Sequence, residues 1–427
     1  MKKLIAILMV ISVLIGMTGM LASAEEKTNL LDADHFKTST GGTWTWNSDG
    51  TLTATNKEIG DCGFSTDYYI EPGHEYYIEA TACIDDGNVW GILFTDGAEG
   101  YKAPLTNWFT EALNVANGVV TMFSVGSVAT VTAPGVNSFF GSYTVGTDVT
   151  LGLHISADNT FTLYVNGVKG SSVKNVTWSG ACIGFFTCVS NVTFKSLTVS
   201  DKAPAASAGK ALEEKADLLA ADVLKYQSAG DAKYTLTNGV LACDNAAVGD
   251  AAYWSDVYVA AGKHVYLEMT GNATTGSWGF ILSETAQAEG CTATGLVSMA
   301  NPQGWINTFD LGSAFAVGAN MYTNTEAIVG GVDVTIGLEF TEDKTLIVTI
   351  NDMVHSVRKN VNFNGCYVGL FTCVSDVTVK SMKVFDIKEA VQEDNPSTSD
   401  ATILSVAMMI PVMVATVVAI TKNKKEF

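Results

Sequence analysis

The side chains best equipped for chemistry in this 427-residue chain are scattered carboxylates and a set of tryptophans, tyrosines and amides. Acid and nucleophile work on a glycosidic bond needs two carboxylates about 5 Å apart. Glu79, in YYIEAT, and Glu268, in VYLEMT, hold matching strand positions, yet each stands alone among non-acidic neighbours. That pattern reads as a strand-face carboxylate with a local hydrogen bond. There is no G-x-S-x-G, H-E-x-x-H or P-loop, and the five histidines are dispersed, so no catalytic residue is assigned.

Binding chemistry is better represented. Sugars present flat apolar faces to aromatic rings and hydroxyls to amides, so Trp and Tyr in loops beside Asn and Gln suit a carbohydrate site. Two such sets occur: Tyr101, Asn107 and Trp108, and Asn301, Gln303 and Trp305. Trp90 and Trp278 lie next to glycine in expected strands and read as core. Asp85-Asp86-Gly87-Asn88 has the oxygen-rich composition of a calcium loop, although a hairpin turn explains it equally. No cofactor is otherwise implied, and no Cys/His spacing suggests zinc.

The elements that must carry these residues are strands. Val149–Ile155, a turn at Ala157-Asp158-Asn159, and Phe161–Val165 alternate with period two. Asn166-Gly167 follows, the favoured pair of a two-residue hairpin, before Val168. Val334–Phe340, a turn at Glu342-Asp343, Thr345–Ile350 and Asn351-Asp352 repeat the arrangement. No amphipathic helix of several turns appears within these regions, so the fold class is all-β, with β-sandwich the economical architecture.

The repetition extends through most of the chain. Asn175–Asp201 aligns without a gap to Asn360–Asp386, Lys27–Asp34 matches Lys215–Asp222, and Gly60–Ile70 matches Gly249–Val259. A period near 185 to 189 residues is too long for a solenoid repeat or a propeller blade and implies two whole modules, arranged as beads. The organisation is a signal peptide over residues 1–24, module 1 over 27–201, a linker over 202–215 and module 2 over 216–387. The second half of the linker has the composition of a short helix. A polar spacer over 388–400, a transmembrane helix over 401–420 and a basic cytoplasmic tail over 421–427 complete it.

The ends point to export and retention. Lys2 and Lys3, an apolar run and Ala22-Ser23-Ala24 form a secretory signal with its cleavage site. Residues 401–420 form an uncharged span followed by Lys422, Lys424 and Lys425, which hold that end inside and leave the modules outside. Just before the span, Asn395-Pro396-Ser397-Thr398-Ser399 resembles the LPXTG or NPXTG sorting signals of Gram-positive bacteria, with serine where glycine is usual. The resemblance implies cleavage by a sortase after Thr398 and attachment to the cell wall. Without it, the membrane is the partner that retains the chain.

Formal net charge is −20, which excludes nucleic acid as a partner and binding to anionic polymers by charge alone. Eight cysteines in an exported chain invite a disulfide reading. Cys182 and Cys188 lie in one expected strand, about 20 Å apart, and cannot pair with each other. Most of the other cysteines do not recur between modules, so buried free thiols are the favoured alternative.

The order W-G-[IF], the hairpin FTLYVNGV and the closing strand GFFTCVSNVTFKSLTV resemble the concanavalin A-like jelly-roll superfamily, which includes laminin G-like modules, lectins and some glycoside hydrolases. The resemblance covers nearly all of both repeats and implies two tandem jelly-roll domains. The E-x-D-x-x-E strand common in its hydrolases is absent. The expectation is a non-catalytic adhesion or carbohydrate-binding protein on the outer face of a bacterial envelope, with an extracellular glycan or surface ligand as partner. The alternatives are a structural, self-associating spacer and an anchored glycoside-processing enzyme.

Overall fold

The computed structural model describes residues 27–388 apart from 97–107, 127, 132–135, 203–210, 246–248, 314, 316, 318–320 and 326. The expected signal peptide, sorting motif and membrane span, and the site candidates Tyr101 and Asn107, lie outside the described residues. Among the described residues every regular element is a β-strand, and no helix is long and apolar enough to cross a membrane.

Period-two patterning in Thr, Val, Ile and aromatic residues gives strands one core face and one outer face. Module 2 shows the result most clearly. Its front sheet has seven strands in the order Leu224–Gln227, Asp250–Val259, Cys366–Cys373, Ser277–Ser283, Gly295–Asn301, Trp305–Leu311 and Met321–Asn324. Its back sheet runs Lys233–Thr237, Val240–Asp244, Asp376–Lys388, Val265–Ala273, Val334–Phe340, Leu346–Ile350 and Met353–Arg358. The core between them includes Trp278, Phe280, Leu282, Ile336, Leu338 and Leu370. Two sheets closing over one apolar core is a β-sandwich. Module 1 repeats the plan around Trp90, Ile92, Phe94, Leu151, Leu153 and Phe185.

The expected meander is present in both modules. Asp148–Ile155, Phe161–Val165 and Val168–Val173 pair in sequence, and Asn166 (φ 49°) and Gly167 (φ 76°) make the left-handed turn between the last two. Asn351 and Asp352 do the same in module 2.

The closing strand of module 1, Ala181–Ser200, belongs to both sheets. Its first half pairs with Val89–Thr95 in the front sheet and its second half with Tyr76–Asp86 in the back sheet. The crossing point is Val189, at φ 49°; Val374 stands at φ 47° between the two corresponding strands of module 2. A β-branched residue at positive φ is strained. Gly87 and Gly276 face these kinks so closely that a Cβ would lie 2.5 Å from the Val189 carbonyl oxygen or 2.0 Å from that of Val374.

Two expectations need correction. Residues 211–217 form a strand rather than a short helix. Nor are the modules beads: the described residues between 27 and 202 and between 214 and 386 fall in one compact unit. Val136–Phe139 of module 1 pairs in parallel with Met353–Arg358 of module 2, with Phe139 opposite Ser356. Val354 is buried in the module 1 core, and Ile347 and Val357 pack against it. The seam is also polar. Ser138 Oγ donates to the Val354 carbonyl at 3.0 Å, and Ser171 Oγ lies 3.3 Å from His355 Nδ1. Ser138, Ser171 and His355 are all fully buried.

Candidate functional site

The two predicted ligand sets meet different fates. Trp108 is not a loop residue. It begins the strand Trp108–Asn114, is 2% exposed, and stacks on Phe186 at 5.0 Å with Phe123 edge-on at 5.2 Å. Alternation along the strand sends Phe109, Glu111 and Leu113 into the sandwich and Trp108 to the opposite face. That face is itself covered, so Trp108 is packing and offers no ring to a ligand. The sequence could not show this, because a covered outer face carries the same alternation as an open one.

In module 2, Asn301 and Trp305 are directly opposed across the hairpin joining Gly295–Asn301 to Trp305–Leu311. Asn301 is buried and committed: its Nδ2 donates to Ser277 Oγ at 2.9 Å and its Oδ1 accepts the Gln303 amide at 2.9 Å. Asn114 does the same for the Ala116 amide in module 1, so Asn301 is a turn residue repeated in both modules. Gln303 is exposed in the turn and Trp305 is half-buried at its end.

The register identifies what shares the Trp305 face. Ile306 and Thr308 point inward, Ile306 into the core and Thr308 onto Ser298 Oγ at 3.0 Å. Trp305, Asn307, Phe309 and Leu311 therefore line the outer face, with Met299 and Val297 on the neighbouring strand. Asn307 is 2% exposed and its Oδ1 has no hydrogen-bond partner among the described residues. An orphaned buried acceptor costs about 1–3 kcal/mol. Nothing in the sequence distinguished Asn307 from other strand asparagines; a strand register placed on the chain would have put it beside Trp305.

The loop Glu284–Thr294 covers the other half of this face. It leaves Ser283 and reaches the far edge strand, where the Gly290 amide donates to the Gln227 carbonyl and the Ala229 amide donates to the Cys291 carbonyl. Beneath it Trp254 and Phe371 are buried with Ala293. The loop thus covers one half of this face, and the Asn301–Leu311 hairpin, with Trp305, Phe309 and Leu311 half-buried, forms the other.

A second concavity lies at the seam, a groove of about 790 Å³. One wall is the edge of the module 1 back sheet, Thr160, Thr162, Lys169, Ser172 and Lys174; the other is formed by residues 327–333, Asn351 and Met353 of module 2.

The remaining candidates resolve into local structure. Glu79 accepts from Tyr77 Oη and Lys27 Nζ, both at 3.3 Å, and Glu268 lies opposite Lys383 in register. Asp85 accepts from Thr193 Oγ1 at 2.7 Å and Asp86 pairs with Lys57. Among the described residues no group of three or more His, Cys, Asp or Glu is placed to hold a metal ion. None of the eight cysteines forms a disulfide; five are buried, and burial pushes the thiols of Cys188 and Cys373 up to about 12. Tyr69 and Tyr258, equivalent and half exposed, donate their hydroxyls to the Ser179 and Asn364 carbonyls. Buried Asn56 and Asn245 each bind a threonine hydroxyl and two carbonyls with their Nδ2 groups.

No family model matches the chain, and no curated protein matches it. Several solved structures are similar to parts of it. Carbohydrate binding module CBM66 from Bacillus subtilis is 15% identical with a TM-score of 0.31, over 38% of this chain and 94% of that one. The potassium-bound Emp46p carbohydrate recognition domain is 13% identical with a TM-score of 0.33, over 42% and 96%. A lectin from Bauhinia forficata in complex with GalNAc is 11% identical with a TM-score of 0.25, over 42% and 98%.

Proposed function

We propose that this chain is a non-catalytic carbohydrate-binding or adhesion protein of the concanavalin A-like kind, displayed on the outside of a Gram-positive cell. In this reading the signal peptide exports it, and the C-terminal span, with or without sortase processing at Thr398, retains it. Its glycan seat is the outer face of the Asn301–Leu311 hairpin in the module 2 front sheet. The observation that carries this is half-buried Trp305 on the outer face of the hairpin, with Phe309 on the same face and exposed Gln303 in the turn before it. A pyranose can lay its apolar face on the indole while its hydroxyls meet the exposed Gln303 amide in the turn before it.

The test is a glycan array probed with the full chain and with Trp305→Ala. Loss of an aromatic anchor costs about 2 kcal/mol, about thirtyfold in affinity. Selective binding that falls by this order in the variant supports the reading; binding indifferent to Trp305 sinks this site. A second reading, a rigid structural spacer, is favoured by the buried seam that fuses the modules. It gains ground if no glycan is retained at all.

A further inference from the structure

The seam groove is built jointly by both modules and is larger than surface roughness. At about 790 Å³ it lies in the range of about 300–1,000 Å³ typical of small-molecule sites, which favour domain junctions. Its geometry is fixed by the buried strand pair and the Ser138, Ser171 and His355 contacts beneath it, so little ordering is needed to fill it.

Its lining selects a ligand class. The module 1 wall is the outer face of an edge hairpin, where Thr162 stands opposite Ser172, their hydroxyls 2.9 Å apart, flanked along the strand by Lys169 and Lys174. Among the described residues no Trp, Tyr or Phe lines the groove, so recognition there is by hydrogen bonds and charge rather than by ring stacking. Both carboxylates of the described lining have partners within the fold. Asp158 accepts from Ser156 and from the Thr160 amide; Asp333 accepts from Lys380 Nζ and Asn272 Nδ2, both at 2.6 Å. His154 is paired with Glu75 at 3.0 Å. Lys169 is exposed and makes no ion pair among the described residues. The lining thus sets two lysines against two carboxylates, and because Asp158 and Asp333 accept hydrogen bonds from within the fold, the Lys169 ammonium is the charged group left open at the rim.

We infer that the seam groove is a second saccharide site, specific for acidic oligosaccharides whose carboxylate is held at Lys169 and whose hydroxyls meet Thr162 and Ser172. This does not rest on the Trp305 face. The two places are linked through the loop 327–333, whose Gly330 lies against Pro302 in the turn before Trp305, but they use different side chains.

The test is calorimetric titration of the full chain with tri-galacturonate, a hyaluronan tetrasaccharide and sialyllactose, each beside its carboxyl methyl ester. At least one acid is expected to bind, with affinity falling at least tenfold on esterification and weakening as salt rises. Lys169→Glu is expected to abolish that binding and Lys169→Arg to keep it, with unfolding midpoints unchanged in both. Trp305→Ala is expected to leave it intact. Failure of all three acids to bind, equal binding of acid and ester, or indifference to Lys169→Glu overturns the proposal. Acid binding lost on Trp305→Ala assigns the sugar to the sheet face and equally overturns it.

Discussion

His355 sits at the centre of the module seam, fully buried, with Nδ1 near Ser171 Oγ and no hydrogen-bond partner for Nε2 among the described residues. Burial lowers its pKa from 6.5 to about 3. The folded chain therefore keeps this imidazole neutral at pH values where the unfolded chain protonates it. Stability from the seam is fully present above pH 6.5 and is lost progressively as pH falls toward 3. Between pH 7.5 and 5, above most carboxylate titration, the extra proton bound by the unfolded state rises from about a tenth to nearly one. The slope approaches about 1.4 kcal/mol per pH unit at the acid end, and the loss sums to about 2 kcal/mol over the interval. Urea unfolding of the wild type and of His355→Gln, at pH 7.5 and pH 5, isolates the term, because other titrating groups are common to both. The wild type is expected to lose about 2 kcal/mol more than the variant across that range. Equal pH dependence in the two proteins would refute the reasoning and show that water reaches the seam.

Three further outcomes follow from the packing. Val374→Gly relieves a β-branched residue held at φ 47°, and chemical denaturation is expected to show stability unchanged or raised by about 1 kcal/mol, with the strain relief offsetting the added chain entropy. Trp108→Ala empties a fully packed aromatic stack and is expected to cost about 3–5 kcal/mol in the same assay, while glycan binding by the folded fraction stays unchanged. Asn245→Ala leaves the Thr372 carbonyl and hydroxyl without their donor, and a loss of about 1–3 kcal/mol is expected, matched by Asn56→Ala in module 1.

The reach of the sequence differs between particular residues. Asn166-Gly167 and the alternating residues around it were enough to place a hairpin, because a two-residue turn at positive φ is encoded locally. Trp90 and Trp278 were legible as core from the repeat and their glycine neighbours, and they are buried. Asn301 was legible as polar and near Trp305, but its bonds to Ser277 and Gln303 depend on strand register and turn geometry.

What the sequence by itself determined is therefore local and periodic: strands, turns and a duplicated plan, each set by dihedral preference and the period-two pattern. What only the tertiary structure decided is which outer faces stay open. Trp108 and Trp305 are both outward residues of front-sheet strands, yet one is sealed and the other only half-buried. The seam is likewise invisible in the chain, since it joins Phe139 to Ser356 across more than half the protein. Both outcomes depend on contacts between segments remote in sequence, and the residues making them carry no local mark of the partner they will meet.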